Sequence, residues 1–340
     1  MPISELSQFI GSKDVCKVST PVSIDTFFQG LGAKFNFYEP IASQDGFLAL
    51  RRHPIDGQSQ REELYVCNPL TGEIFHIPPL LPPFPSPDQY ALLVTEAVTQ
   101  SFLLVAIWIR QGRFISGTYS SKTKVWKWFG GSPDLPGPYV MSSPVAVSGC
   151  AIHFLCGIQK NWTLTHVTTL HIDTQKLSYM DIPPDAKRNK APLLATSANG
   201  ELLLLYLKGL QMSLWKHNSD TNYWILCGTI NLSSSLPLRM VQMQTRAKFI
   251  LETFQGKSGT AVLWVEGEGR FLLSFSAGSI RKIDNEHVTK KYFLCPYEID
   301  WLTCLAMMNL VVDGSLSQDV AREMVQARWR TLMMTGKAYE

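Results

Sequence analysis

The chain has 340 residues, 45% of them apolar and only 17% charged, with a formal net charge of +3 at pH 7. This composition can bury a sizeable core and excludes global disorder, and so small a positive charge, carried on scattered lysines and arginines, argues against a nucleic-acid partner. Seven cysteines without a Cys-x-x-Cys pair, an N-terminus lacking the basic start and apolar block of a signal peptide, and no apolar run of the ~18 residues that span a bilayer predict an intracellular protein of cytoplasm or nucleus with no membrane contact.

In chain order, the first 30 residues hold one strand-like run, "VCKVSTPVSIDTFF" (Val15 to Phe28). From residue 31 a pattern sets in and repeats about every 50 residues. A greasy hairpin comes first, then a more alternating one. The greasy hairpins are "EPIASQDGFLALRR", "YALLVTEAVTQSFLLVAIWI", "PVAVSGCAIHFLC", "PLLATSANGELLLLYL" and "KFILETFQGKSGTAVLWV". Their followers are "LYVCNPLTGEIFHIPP", "FISGTYSSKTKVWKWF", "TTLHIDTQKLSYMDIPP", "MSLWKHNSDTNYWILCG" and "FLLSFSAGSIRKID". Each turn is rich in Ser, Thr, Asn, Asp or Gly, residues that satisfy the steric and hydrogen-bonding demands of a reversal.

A four-stranded unit of this period cannot bury both faces alone, whereas stacking units about an axis can, so the expected fold is an all-β propeller over residues 31–299. Five blades are countable. Val15–Phe28 and "VTKKYFLCPYEI" (Val288 to Ile299) are expected to combine into a sixth that closes the ring, with five and seven blades as the alternatives. No Trp-Asp dipeptide occurs, and Gly130–Gly131 follows an outer strand, so the repeats follow neither the WD40 nor the kelch pattern closely. Residues 300–340 change character: "DWLTCLAMMNLVV" and "SLSQDVAREMVQARWRTLMM" carry capping residues and helical spacing of apolar side chains, predicting a helical tail.

Catalytic constellations are sparse. "SKTK" (Ser121 to Lys124) fits Ser-x-x-Lys but falls in a hairpin turn, not on the helix that chemistry needs. His171 and Asp173 are expected to share a strand face that His166 does not, which argues against a zinc site. Glu298 and Asp300 read as exposed or capping carboxylates. The Pro-rich "IPPLLPPFPSPD" reads as a stiff linker between blades, and Trp126 and Trp128 as packing residues on one face of a strand. No cofactor and no metal is expected, and no catalytic residue is assigned.

The long connections are expected at the end of the blades opposite the tight turns. Binding falls there because loops vary without disturbing the blades. Arg51, Arg52, His53, Lys160, Trp162 and Arg188 are the candidate protein-binding residues of that surface.

The hairpin Leu64 to Pro79, with its "NP", "TGE" and closing "IPP", resembles the plant F-box-associated propellers, and "LHIDTQKLSYMDIPPD" and "GRFLLSFSAGSIRKI" followed by "YFLCPYEIDW" resemble later parts of the same, grass-type family. The resemblance implies the target-recognition module of a cullin ubiquitin ligase, non-catalytic in itself. Such proteins dock through an N-terminal F-box on a Skp1-type adaptor. That box is not recognisable here, since "DVCKVSTPVS" lacks the tryptophan expected after Val15–Cys16–Lys17. The alternatives are a structural propeller without a ligase role and a propeller glycoside hydrolase or lyase, which needs two facing carboxylates; Asp56, Asp88, Asp134 and Asp185 are the acids of the long loops.

Overall fold

The computed structural model describes residues 38–52, 62–68, 73–80, 85–96, 101–110, 113–130, 139–158, 163–187, 192–234, 236–242, 247–275 and 278–283. It is all-β apart from two short helices, α1 (Pro184–Lys187) and α2 (Leu238–Gln242), and one turn of 3-10 helix. Blade 1 comprises β1 (Tyr38–Gln44), β2 (Phe47–Arg52), β3 (Glu63–Asn68) and β4 (Glu73–Ile77). Blade 2 comprises β5 (Gln89–Glu96), β6 (Ser101–Arg110), β7 (Arg113–Ser120) and β8 (Val125–Gly130). Blade 3 comprises β9 (Tyr139–Ser148), β10 (Ala151–Ile158), β11 (Thr163–His171) and β12 (Lys176–Asp181). Blade 4 comprises β13 (Leu193–Thr196), β14 (Leu202–Lys208), β15 (Gln211–Asn218) and β16 (Tyr223–Asn231). Blade 5 comprises β17 (Phe249–Gln255), β18 (Thr260–Val265), β19 (Gly269–Ser274) and β20 (Ser279–Lys282).

Every sheet has the order first-second-third-fourth, a four-stranded meander of consecutive strands. The fold is therefore of the β-propeller class, with five four-stranded blades among the described residues rather than the six expected. The expectation of a sixth rests on the need to cover sheet edges, yet each of the five sheets already draws four strands from one continuous stretch, and none is left a strand short for the termini to complete. Val15–Phe28, Val288–Ile299 and the tail expected over 300–340 lie outside the described residues.

By density of contacts the described chain divides into two compact units, residues 38–105 with 118–127, and residues 106–117 with 128–283. Within the larger unit β13 lies beside both β9 and β17, and within the smaller β1 lies beside β5. The first strand of each blade is thus the inner one, and burial follows that order. Second strands are covered on both faces: Leu202 to Tyr206 of β14 are all buried, as are Phe47 to Leu50 of β2. Fourth strands alternate and are largely exposed, as in β12 and β16. Leu203, Leu205, Met212 and Leu214 of blade 4 pack with Leu251, Leu263, Phe271 and Phe275 of blade 5, while Leu194, Leu204 and Tyr206 pack with Leu155, Val167 and Ile182 of blade 3. Phe114 stacks on Phe154 at 5.6 Å. Burying each such side chain contributes about 1.5–3 kcal/mol.

Three outer hairpins share one turn among the described residues. Residues 121–124, 172–175 and 219–222 link third to fourth strands, and the last residue of each (Lys124, Gln175, Asn222) has φ between 55° and 57°; Gly278, just before β20, has φ 60°. In three blades the first residue of the turn donates its backbone N–H back to the inner hairpin: Ser121 to Phe102 O, Ile172 to Cys150 O and Phe275 to Gly259 O, at 2.9–3.0 Å. This stitches both hairpins together at one end.

Candidate functional site

Antiparallel pairing sends alternate connections to opposite ends of each sheet. At one end lie the tight turns just described and those at 45–46, 149–150, 197–201 and 256–259. At the other, β2 leads on to β3, and β4, β8, β12 and β16 lead on to the next blade; the described parts of these crossovers are 78–80, 85–88, 182–187, 192, 232–234, 236–242 and 247–248. The crossovers are partly structured: 182–192 carries α1, and 232–248 carries the 3-10 turn and α2, which the sequence read as plain loops.

Of the six candidate residues, Arg51 and Arg52 lie within the described part, at the crossover end of blade 1. His53, Lys160, Trp162 and Arg188 lie outside it. The register of β1, β2 and β3 sets Tyr38 against Arg52 and Arg52 against Glu63, with Glu39 against Arg51. Arg51 donates from Nε to Glu39 Oε1 at 2.7 Å and from Nη2 to the same oxygen, and its Nη1 is 3.6 Å from Glu62 Oε1. Tyr90, from β5, donates to Glu62 Oε2 at 3.0 Å and receives the Arg51 guanidinium over its ring at 5.9 Å. Arg52 pairs with Glu63 at 3.6 Å and lies 5.8 Å over the Tyr38 ring, while the Tyr38 hydroxyl donates to Glu63 at 2.5 Å.

Both phenols are pushed well above the usual range, Tyr38 by burial and its bond to Glu63, Tyr90 by burial and the charge of Glu62. They donate; they are not bases. Arg51 is 14% exposed and committed to this network, so it clamps β1, β2 and β5 together. Arg52 and Glu63, 28% and 46% exposed, are the members that face outward. Tyr38, Glu39, Glu62, Glu63 and Tyr90 were not singled out from the sequence. The signal for the first four was present as three dipeptides, Tyr38–Glu39, Arg51–Arg52 and Glu62–Glu63, at strand ends that a hairpin through Asp45–Gly46 brings into line.

The other chemistry-bearing stretches resolve into structure. Ser121 sits in a tight turn and its Oγ accepts from the Phe102 N–H at 2.9 Å. β11 ends at His171 and Asp173 lies in the turn 172–175, as its place in the hairpin repeat marks it, so the two do not share a strand face. Among the described residues no three His, Cys, Asp or Glu side chains are placed to hold a metal ion. His153 bonds Thr169 Oγ1 at 2.8 Å and is pushed down to about 4 by burial, reinforced by the charges of His171 and His217. Trp126 donates from its indole to Pro78 O at 2.8 Å, tying β8 to the Pro-rich crossover, and Trp224 does the same to Asp181 O at 2.9 Å. Trp128 packs on Trp108 at 5.5 Å. Trp126 thus joins blade 2 to the end of blade 1, as its spacing suggested, whereas Trp128, 40% exposed, packs within its own blade.

The fold and site define a propeller-class protein with a charged clamp at the crossover end of blade 1. The chain matches a domain family over residues 5–311 and belongs to it: the domain of unknown function DUF7595. No curated protein matches. Among solved structures it is similar to TolB from Acinetobacter baumannii, with 12% identity, a TM-score of 0.35 and coverage of 71% of this chain and 52% of that one. It is also similar to an exo-beta-1,3-galactanase from Phanerochaete chrysosporium, with 9% identity, a TM-score of 0.41 and coverage of 72% and 61%. The chain thus spans about half of the TolB chain and three-fifths of the galactanase. No helix among the described residues is long and apolar enough to cross a membrane.

Proposed function

We propose that the chain is a non-catalytic protein-binding propeller whose partner contacts fall on the crossovers that join its blades. The observation that carries this reading is the asymmetry of the connections. Turns at one end are tight and stitched together, while the crossovers 78–88, 131–138, 182–192 and 232–248 at the other are long. Long segments on a rigid scaffold are where recognition concentrates. The outward-facing Arg52 and Glu63 supply polar contacts beside them, with Arg51 as their support.

Within this class, the hairpin Leu64 to Pro79 supports a finer reading: a target-recognition module related to F-box-type ubiquitin-ligase receptors, acting in the cytoplasm or nucleus with a Skp1-type adaptor and a cullin supplied through a docking segment. The free cysteines Cys67, Cys150, Cys156 and Cys227 are consistent with a reducing compartment.

The broad reading is tested by replacing each crossover in turn with a Gly-Ser linker and measuring binding to proteins captured by the full chain. Binding is expected to fall at least tenfold for one or more crossovers and to be unchanged when the turn 172–175 is altered. Binding indifferent to all four overturns it. The finer reading is tested by titrating purified Skp1-type adaptor into the full chain, where saturable binding is expected and none overturns it.

A further inference from the structure

We propose that two copies of the chain associate through the outer edge of blade 4, β16 against β16 in antiparallel two-fold register. This inference is independent of the function proposed above.

β16 ends its sheet, with β15 on one side and no strand beside it on the other among the described residues. At nine residues it is the longest of the five fourth strands. It is also the one fourth strand without a charged residue. β4 carries Glu73, β8 Lys127, β12 Lys176 and Asp181, and β20 Arg281 and Lys282, whereas the chain has no charge between Asp220 and Arg239. Charges on edge strands oppose sheet-to-sheet pairing because joining edges must desolvate them or bring like charges together. Four edges keep that protection and β16 lacks it.

The exposed side chains say what fits there. Tyr223, 73% exposed, and Ile225, 49% exposed, share one face of the outermost strand, while Leu226, 48% exposed, lies on the other. Large apolar groups thus stand on both faces of an edge that no charge guards. The pairing of Leu214 with Gly228 and Trp215 with Leu226 makes Cys227 a bulge, so the regular part of the edge is Tyr223 to Leu226. Opposed residues of an antiparallel pair share a face, so a two-fold axis normal to the sheet passes through a residue position. Centred on Trp224, it sets Tyr223 opposite Ile225 of the second copy, twice. An aromatic residue across from a β-branched one is among the favourable cross-strand pairs. An uncharged strand meets its own copy without electrostatic opposition, which selects a second copy as the occupant over a charged partner.

The test is the solution mass of the full chain by sedimentation and light scattering across its soluble concentration range. Twice the chain mass is expected, falling by half in Ile225→Lys and in Tyr223→Lys. Ser279→Lys on the already charged β20 edge should keep the parent's mass. Far-UV circular dichroism and the melting temperature establish that each variant is folded, and Tyr223, the most exposed of the three, is the variant least able to disturb the blade. A parent chain that is monomeric throughout, or a dimer that survives both lysines, overturns the proposal. A monomer that instead takes up an uncharged strand-forming peptide assigns the edge to another occupant and overturns it equally.

Discussion

A Cβ built on Gly256 falls 1.7 Å from the carbonyl oxygen of Thr196, a backbone atom with no rotamer to move aside. The turn between β17 and β18 thus reaches blade 4 only because that position has no side chain. Gly256→Ala must push the turn of blade 5 away from β13, and a loss of about 2 kcal/mol is expected, read as a lower denaturation midpoint. Arg51 acts by charge. Arg51→Met leaves Glu39 and Glu62 facing one another with little water, at an expected cost of about 2 kcal/mol. Adding Glu39→Gln should recover part of it, which a double-mutant cycle measures. His153 makes stability depend on pH. Its folded value is pushed down to about 4 while the unfolded imidazole titrates near 6.5, so the unfolded state takes the proton first. The contribution is intact above pH 6.5 and is lost as pH falls towards 4, to the extent of about 3 kcal/mol. Denaturation curves at a series of pH values should show that slope, and His153→Gln should flatten it.

At the scale of the element, the outer turns return most. Lys124, Gln175 and Asn222 hold the left-handed conformation that Gly278 adopts without strain in blade 5. Gln175→Gly is expected to stabilise the protein by up to about 1 kcal/mol, visible as a higher melting temperature, with little gain at Asn222, whose short side chain tolerates the conformation. These turns also show what was legible beforehand. The twenty strands, and the hairpin turns among the described residues, sit where alternation and turn residues place them, because strand period and reversal chemistry are written locally. Two things were not local. α1 and α2 hide in crossovers whose prolines and serines read as loop, since helices of four or five residues have no periodicity to detect. The clamp around Arg51 needs Tyr90 from the next blade, and no spacing within one hairpin announces it.

At the scale of the molecule, a closing sixth blade follows only from edges, which are a property of assembled sheets, whereas the five complete meanders need only their own sequence. Burial offers a measurement over the whole chain. Cys67 and Cys156 are buried, their thiols pushed up to about 12 and about 11 by loss of hydration, while Cys150 is exposed. A thiol reagent is expected to modify Cys150 in the native protein and to reach Cys67 and Cys156 only in denaturant, as peptide mass mapping of labelled sites will show. One of the protected thiols lies in each compact unit, so the pair reports the unfolding of both.

Each strand hydrogen-bonds only to its predecessor and successor, so no sheet waits for residues synthesised much later. A nascent chain can pair the strands of one sheet within about 50 residues of emerging from the ribosome, but the faces of that sheet stay bare until a neighbouring blade stacks on it. A stalled polypeptide ending in a crossover should therefore present a paired sheet with an uncovered apolar face, a ready site for chaperone binding.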